Sequence, residues 1–183
     1  MKSIILSVQP QWLAKILNGE KTIEIRKSAP KELPCEVYLY CTKKENTALV
    51  IPKGETIYGQ VVDKTIFVKM PEAYWEHPLG YHGKVVGKFT LEGYGCSSDI
   101  DIFDEEMIYT LVEHSCVPFA DIIKYANKKP FYVWHIDNLV IFDKPMELGE
   151  FQYKPKWAVN EFSNVLETLT RAPQSWQYVE PIK

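Results

Sequence analysis

The sequence predicts an α+β fold, a small mixed β-barrel with a helix after the first strand and further short helices later in the chain. Three observations carry this reading. Short β-branched and aromatic runs recur along the chain, an apolar helical face follows the first of them, and two more helical stretches precede the last strong runs. At 183 residues and 46% hydrophobic content, the chain is long enough to bury a sizeable core. We expect a single domain over 1–183, with an insertion near 71–83 and a helical or loop extension over 150–183.

The elements follow from local pattern. Ile4 to Val8 form a first strand, and Pro10 suits the first turn of a helix, where its missing N–H costs nothing. Trp12, Leu13, Ile16 and Leu17 recur at the spacing of an apolar helical face, and Asn18 with Gly19 ends that helix. Thr22, Glu24 and Arg26 then alternate with Lys21, Ile23 and Ile25. Period-two patterning turns Ile23 and Ile25 inward and puts Glu24 and Arg26 on the other face, with Lys21 at the strand edge outside the core. Pro30 and Pro34 make 27–34 a loop, where Arg26, Lys27 and Lys31 gather positive charge.

A strand is expected over 35–40, and Lys43 to Asn46 break its apolar pattern. Strands are also expected over 56–68 and 84–94. The segment between them, 71–83, holds Tyr74, Trp75, His77, Tyr81 and His82, and reads as a long loop of functional kind. Residues 100–103 read as a strand end. Helices are expected over 105–114 and 118–127, strands over 131–136 and 139–142, helical spacing over 162–169 and loop over 171–176.

Composition narrows the function classes. The formal net charge is −3, so attraction to a phosphate backbone must come from a local basic patch. No apolar run approaches the ~20 residues that span a bilayer, and the N-terminal apolar run is too short for a signal peptide. We therefore expect a soluble, cytoplasmic protein with no membrane partner. Cys35, Cys41, Cys96 and Cys116 include no C-x-x-C pair and read as reduced core thiols. His77, His82 and His114 lack the ligand number and spacing of a zinc site, so no metal is expected, and His135 reads as a structural histidine. Walker, dinucleotide and nucleophile-elbow motifs are absent, and no cofactor is expected.

The stretch with the most chemistry is Gly19 to Arg26. Lys21 and Arg26 offer donors to phosphate, and Glu24 accepts from the exocyclic amine of a base. Partial negative charge at the end of the preceding helix favours the Lys21 ammonium. Trp12, Tyr40 or Trp134 near such a cleft would add stacking worth ~1–3 kcal/mol per base, although Trp12 and Trp134 are expected in the core. The competing reading is an exposed ion pair of Glu24 and Arg26, worth under ~1 kcal/mol.

Gly19, Lys21, Glu24 and Arg26 stand at the spacing G-x-K-x-x-E-x-R, which resembles the signature of ASCH domains, small β-barrels of the PUA-like superfamily. The runs Ile5 to Pro10 and Tyr38 to Lys43 resemble that family's first and third strands. Trp134-His135-Ile136 and Pro173-Gln174-Ser175-Trp176 resemble its longer bacterial and phage-type members. The resemblance implies a PUA-like barrel and an RNA- or nucleotide-binding module. Its cleft would be lined by Lys21, Glu24 and Arg26, with Gln9, Trp12 and Lys43 as outer candidates. It also implies an alternative, a hydrolase of a modified nucleoside or RNA in the same cleft. In amidohydrolase-like relatives Lys21 would match the base, but Glu24 stands where the threonine nucleophile belongs. In ribonuclease-like ones Lys21 and Glu24 would act as electrostatic stabiliser and base.

Overall fold

The structure is a computed structural model that describes residues 1–57, 59–98, 104–158 and 165–182. The chain opens with β1 (Lys2–Val8) and α1 (Pro10–Leu17), the helix starting at its proline. Gly19 ends the turn after α1 with φ at +75°, its N–H donating to the Ile16 carbonyl while that of Glu20 reaches Lys15. This pair of bonds satisfies the helix's last carbonyls and needs a left-handed residue, which glycine supplies without strain. β2 (Ile23–Arg26), β3 (Cys35–Cys41), β4 (Asn46–Ile51), β5 (Thr56–Ile57), β6 (Gln60–Val61), β7 (Ile66–Pro71), β8 (Lys84–Leu91) and β9 (Tyr94–Cys96) follow. α2 (Glu105–Ser115) is capped by Asp104, whose carboxylate accepts from the Met107 N–H at 3.0 Å. Beyond it lie α3 (Phe119–Ala126), β10 (Tyr132–His135), β11 (Asp137–Glu147), β12 (Gln152–Tyr153), β13 (Glu167–Thr168) and β14 (Trp176–Val179).

The main sheet has five strands in the order β11-β8-β3-β1-β14. β1 runs parallel to β3, a pairing that needs a crossover, and α1 with β2 supplies it. β1 is buried on both faces, which explains its unbroken apolar run. Ile4, Leu6 and Val8 pack with Leu13 and Ile16 of α1, while Ile5 faces a second cluster with Tyr38, Val85, Phe151 and Val179. A smaller sheet, β2-β10-β9, carries Ile23, Ile25 and Val133 on the face covered by Leu111 of α2 and Ile122 of α3. The inward orientation expected of Ile23 and Ile25 is therefore present, and so is the α+β class. Among the described residues the ladders form separate sheets, with no closed barrel.

Several expectations are corrected. The strand expected over 56–68 is interrupted at Gly59, where φ is +79°, and becomes a two-stranded hairpin followed by β7. The strand expected over 84–94 ends at Leu91, and Tyr94 belongs to β9 in the other sheet. The insertion at 71–83 packs along β4. Val50 donates its N–H to the Leu79 carbonyl, Tyr81 donates to Ala48, and the Tyr81 ring packs against Phe67 at 6.0 Å. The C-terminal extension is strand as well as loop. β14 is an edge of the main sheet, paired with β1, and β13 replaces the helix expected around 167–168. Residues 100–103 and 162–164 lie outside the described residues. Cys35 and Cys41 are buried, whereas Cys96 and Cys116 are partly exposed, as core fillers would not be. His135 is exposed at the end of β10. Among the described residues no helix is long and apolar enough to cross a membrane.

Candidate functional site

Because β2 alternates, Glu24 and Arg26 leave the face opposite Ile23 and Ile25, and that face forms the floor of a cleft of about 470 Å³. α1 contributes Trp12 to the cleft, and Gln9 enters it from the position just before that helix. α3 contributes Ile122 and Tyr125 from the opposite side, and the loop before β14 adds Gln174 and Ser175.

Lys21, Glu24 and Arg26 form one buried network. The Lys21 ammonium donates to the Ser115 carbonyl at 2.8 Å and stands 3.2 Å from Oε2 of Glu24. That second contact is an ion pair without the alignment of a hydrogen bond. Oε1 of Glu24 meets Nη2 of Arg26 at 2.9 Å, and the same guanidinium donates to the Ser7 carbonyl at 2.9 Å. Arg26 also reaches the Ser175 hydroxyl at 3.4 Å. Lys21 is 2% exposed and Glu24 7% exposed, so neither the exposed ion pair nor a strand-edge lysine outside the core describes this site. The physical reason is the C-terminal end of α2, which lies over Lys21 and presents an unpaired carbonyl with partial negative charge. The helix end that meets the Lys21 ammonium is thus that of α2, while the end of α1 meets only its backbone N–H, which donates to the Lys15 carbonyl at 3.1 Å.

Loss of solvent pushes the Glu24 carboxyl upward in pKa, but the charges of Lys21 and Arg26 beside it outweigh burial and hold it below its ordinary value of 4.5. Glu24 is therefore ionised at neutral pH. Two cations and one anion leave one positive charge in excess in this network, and the other two charged residues lining the cleft, Lys44 and Asp121, are of opposite sign. Among the described residues, three buried polar atoms here have no hydrogen-bond partner: Oε2 of Glu24, which has only its ion pair with Lys21, Nε of Arg26, and the hydroxyl of Thr42, which also lines the cleft.

Gln9 and Trp12 join the network in one cleft. Trp12 is half-buried rather than core, and its ring centre lies 5.9 Å from the Lys21 ammonium. Trp134 is fully buried and packs edge-on against Trp176, with ring centres 6.0 Å apart. Tyr40 belongs to the core cluster on the other side of the main sheet, so neither of these rings offers a stacking face. Lys43 lies against Gly83, and its neighbour Lys44 lines the cleft instead. The sequence reading missed Ser7, Thr42, Ile122, Tyr125, Gln174 and Ser175. Ser7, Thr42, Gln174 and Ser175 fall in the runs Ile5 to Pro10, Tyr38 to Lys43 and Pro173 to Trp176 that carry the family resemblance, but nothing local in those runs assigns them to the cleft.

Comparison with solved structures finds the crystal structure of ASCH from Zymomonas mobilis, with a TM-score of 0.55 and 14% identity, over 98% of this chain and 88% of that one. Structures of two single-residue mutants of that protein match with TM-scores of 0.51 and 0.52, again at 14% identity and over 98% of this chain, covering 89% and 91% of theirs. No protein-family model matches the chain, and no curated protein matches it in sequence. At this level of identity the likeness concerns architecture, and it extends from one end of the chain nearly to the other. The chain carries the ASCH fold.

Proposed function

We propose that the chain is an RNA- or nucleotide-binding module whose ligand enters the cleft above Lys21, Glu24 and Arg26. The observation that supports it best is the buried network itself. Burying three charges costs several kcal/mol per ion, and a hydrophobic replacement would serve stability as well or better. A network with an excess positive charge, open to a cleft, suits a ligand that brings a phosphate or a carbonyl edge. Beside it, the indole of Trp12 supplies a flat apolar wall, and Gln9 and Gln174 supply amides that both donate and accept.

The binding reading is favoured over the ribonuclease-like one, in which Glu24 is the base, by the state of Glu24. A carboxylate held below its ordinary pKa by two cations is a weak general base at neutral pH. The test is incubation of the protein with a mixed set of short RNAs and acylated nucleosides, followed by mass spectrometry of both retained ligand and product. Retained, unaltered RNA or nucleotide is the expected result. A chemically altered product would replace this reading with the hydrolase, and neither retention nor altered product at any salt concentration would refute both.

A further inference from the structure

α3 stands between two cavities. Ile122 and Tyr125 line the cleft already described, while Ile123, Lys124 and Asn127 line a second cavity of about 610 Å³. Lys128 and Lys129 complete a wall of three exposed lysines there. Among the described residues no carboxylate lines this cavity, and none of the three lysines is held in an ion pair.

The lysine wall is anchored. Asn127 and Lys128 adopt left-handed backbone angles of 51° and 60°, which turn the chain sharply at the end of α3. Just beyond, Phe131 donates its N–H to the Ser97 hydroxyl at 2.9 Å, and Ser97 returns a backbone bond to the Phe131 carbonyl at 2.9 Å. Phe131 is 1% exposed and belongs to the core. The turn is therefore pinned to the smaller sheet.

A further cation stands against the cleft side of α3. The Lys27 ammonium sits 4.8 Å from the centre of the Tyr125 ring on the cleft wall. The cleft side of α3 thus has Arg26 and Lys27 beside the Asp121 carboxylate, and its far side has Lys124 and the rest of the lysine wall. In a chain of net charge −3, three lysines within six residues, without an ion-pair partner among the described residues, repel one another, and a polyanion relieves that repulsion.

We propose that the lysine cavity holds the phosphate backbone of the same single-stranded RNA whose nucleotide occupies the cleft, with the strand crossing α3 at Tyr125. The inference rests on the cleft reading and extends it, since it selects an oligomer over a free nucleotide. A helix is ~10–12 Å across, so a mononucleotide in the cleft cannot reach the lysines beyond α3.

The test uses the full chain and a triple variant, Lys124→Gln with Lys128→Gln and Lys129→Gln, whose substitutions are all at exposed positions. Three probes are titrated across a salt series: a mixture of nucleoside monophosphates, a single-stranded RNA of about ten nucleotides, within the ~4–16 nucleotide sites of single-strand binders, and poly-glutamate. The triple variant should keep the parent's melting temperature and its affinity for the monophosphates. Its RNA affinity should fall at least tenfold at low salt, and the slope of log affinity against log salt should shrink by about 2. An unchanged RNA slope in the variant would overturn the lysine track while leaving the cleft reading intact. Poly-glutamate binding more tightly than RNA would assign the wall to an acidic protein partner instead. A parent that binds neither monophosphates nor RNA would refute the cleft reading and this inference with it.

Discussion

The ammonium of Lys21 donates to the carbonyl oxygen of Ser115 at 2.8 Å, tying the turn after α1 to the end of α2 across 94 residues of sequence. The bond gives Lys21 a structural role as well as a place in the cleft. Replacing it with methionine would fill its volume but strand the Ser115 carbonyl and remove one of the two countercharges of Glu24. We expect Lys21→Met to lower unfolding stability by about 3 kcal/mol, as for other broken buried pairs, measured by urea denaturation. A change within ~0.5 kcal/mol, typical of a surface position, would contradict this burial-based account.

The second prediction concerns acid. The folded pKa of Glu24 lies below its unfolded value, so its ionised form stabilises the native state above the ordinary carboxylate pKa of 4.5, and the contribution is lost as pH falls through the lower folded value. Glu24→Gln should be the less stable protein at neutral pH, by about 3 kcal/mol, because Lys21 and Arg26 lose their buried countercharge. Below about pH 5 the parent should lose stability with acid more steeply than the variant. Denaturant midpoints measured from pH 7 to pH 3 give both curves, and parallel curves would sink the assignment.

Trp12 separates packing from recognition. A fully buried tryptophan replaced by alanine costs ~3–5 kcal/mol. Trp12 is half-buried on the cleft wall, so Trp12→Ala should cost about 2 kcal/mol and should also weaken nucleotide binding at least tenfold, the share expected of one stacked base. Melting curves and a fluorescence titration check the two effects separately. Full stability loss with unchanged affinity would return Trp12 to the core.

How much of this was legible in the sequence depended on the range of the interaction. The helix end at Gly19 and the alternation of β2 rest on neighbours along the chain, and both were readable from spacing alone. β14 was not. Its four residues follow Pro173 closely, and its identity as a strand comes from pairing with β1, so that Ser3 sits opposite Val179 at the other end of the sequence. The burial of Lys21 was hidden for the same reason. A lysine reads as surface until the partner that covers it is known, and here the partner is a helix end on a distant segment. Trp12 erred in the other direction, because an indole on an apolar helical face reads as core, while the wall that would enclose it is absent where the cleft opens. The site residues on α3 and before β14 carried no local signal of a shared cleft, since only the packing of α2 and α3 on β2 and β10 brings α3 opposite α1.

The central claim is that the cleft above Lys21, Glu24 and Arg26 takes RNA or a nucleotide, and Arg26 tests it most directly. Its guanidinium is held by Glu24 and the Ser7 carbonyl with one nitrogen left without a partner. The measurement is a titration of the parent and of Arg26→Gln with a short single-stranded RNA and with nucleoside monophosphates, at a temperature where both proteins are folded. The account predicts saturable binding by the parent that weakens as salt rises, and an affinity at least tenfold lower in Arg26→Gln. Equal affinity in the two proteins, or no binding by the folded parent, would contradict it.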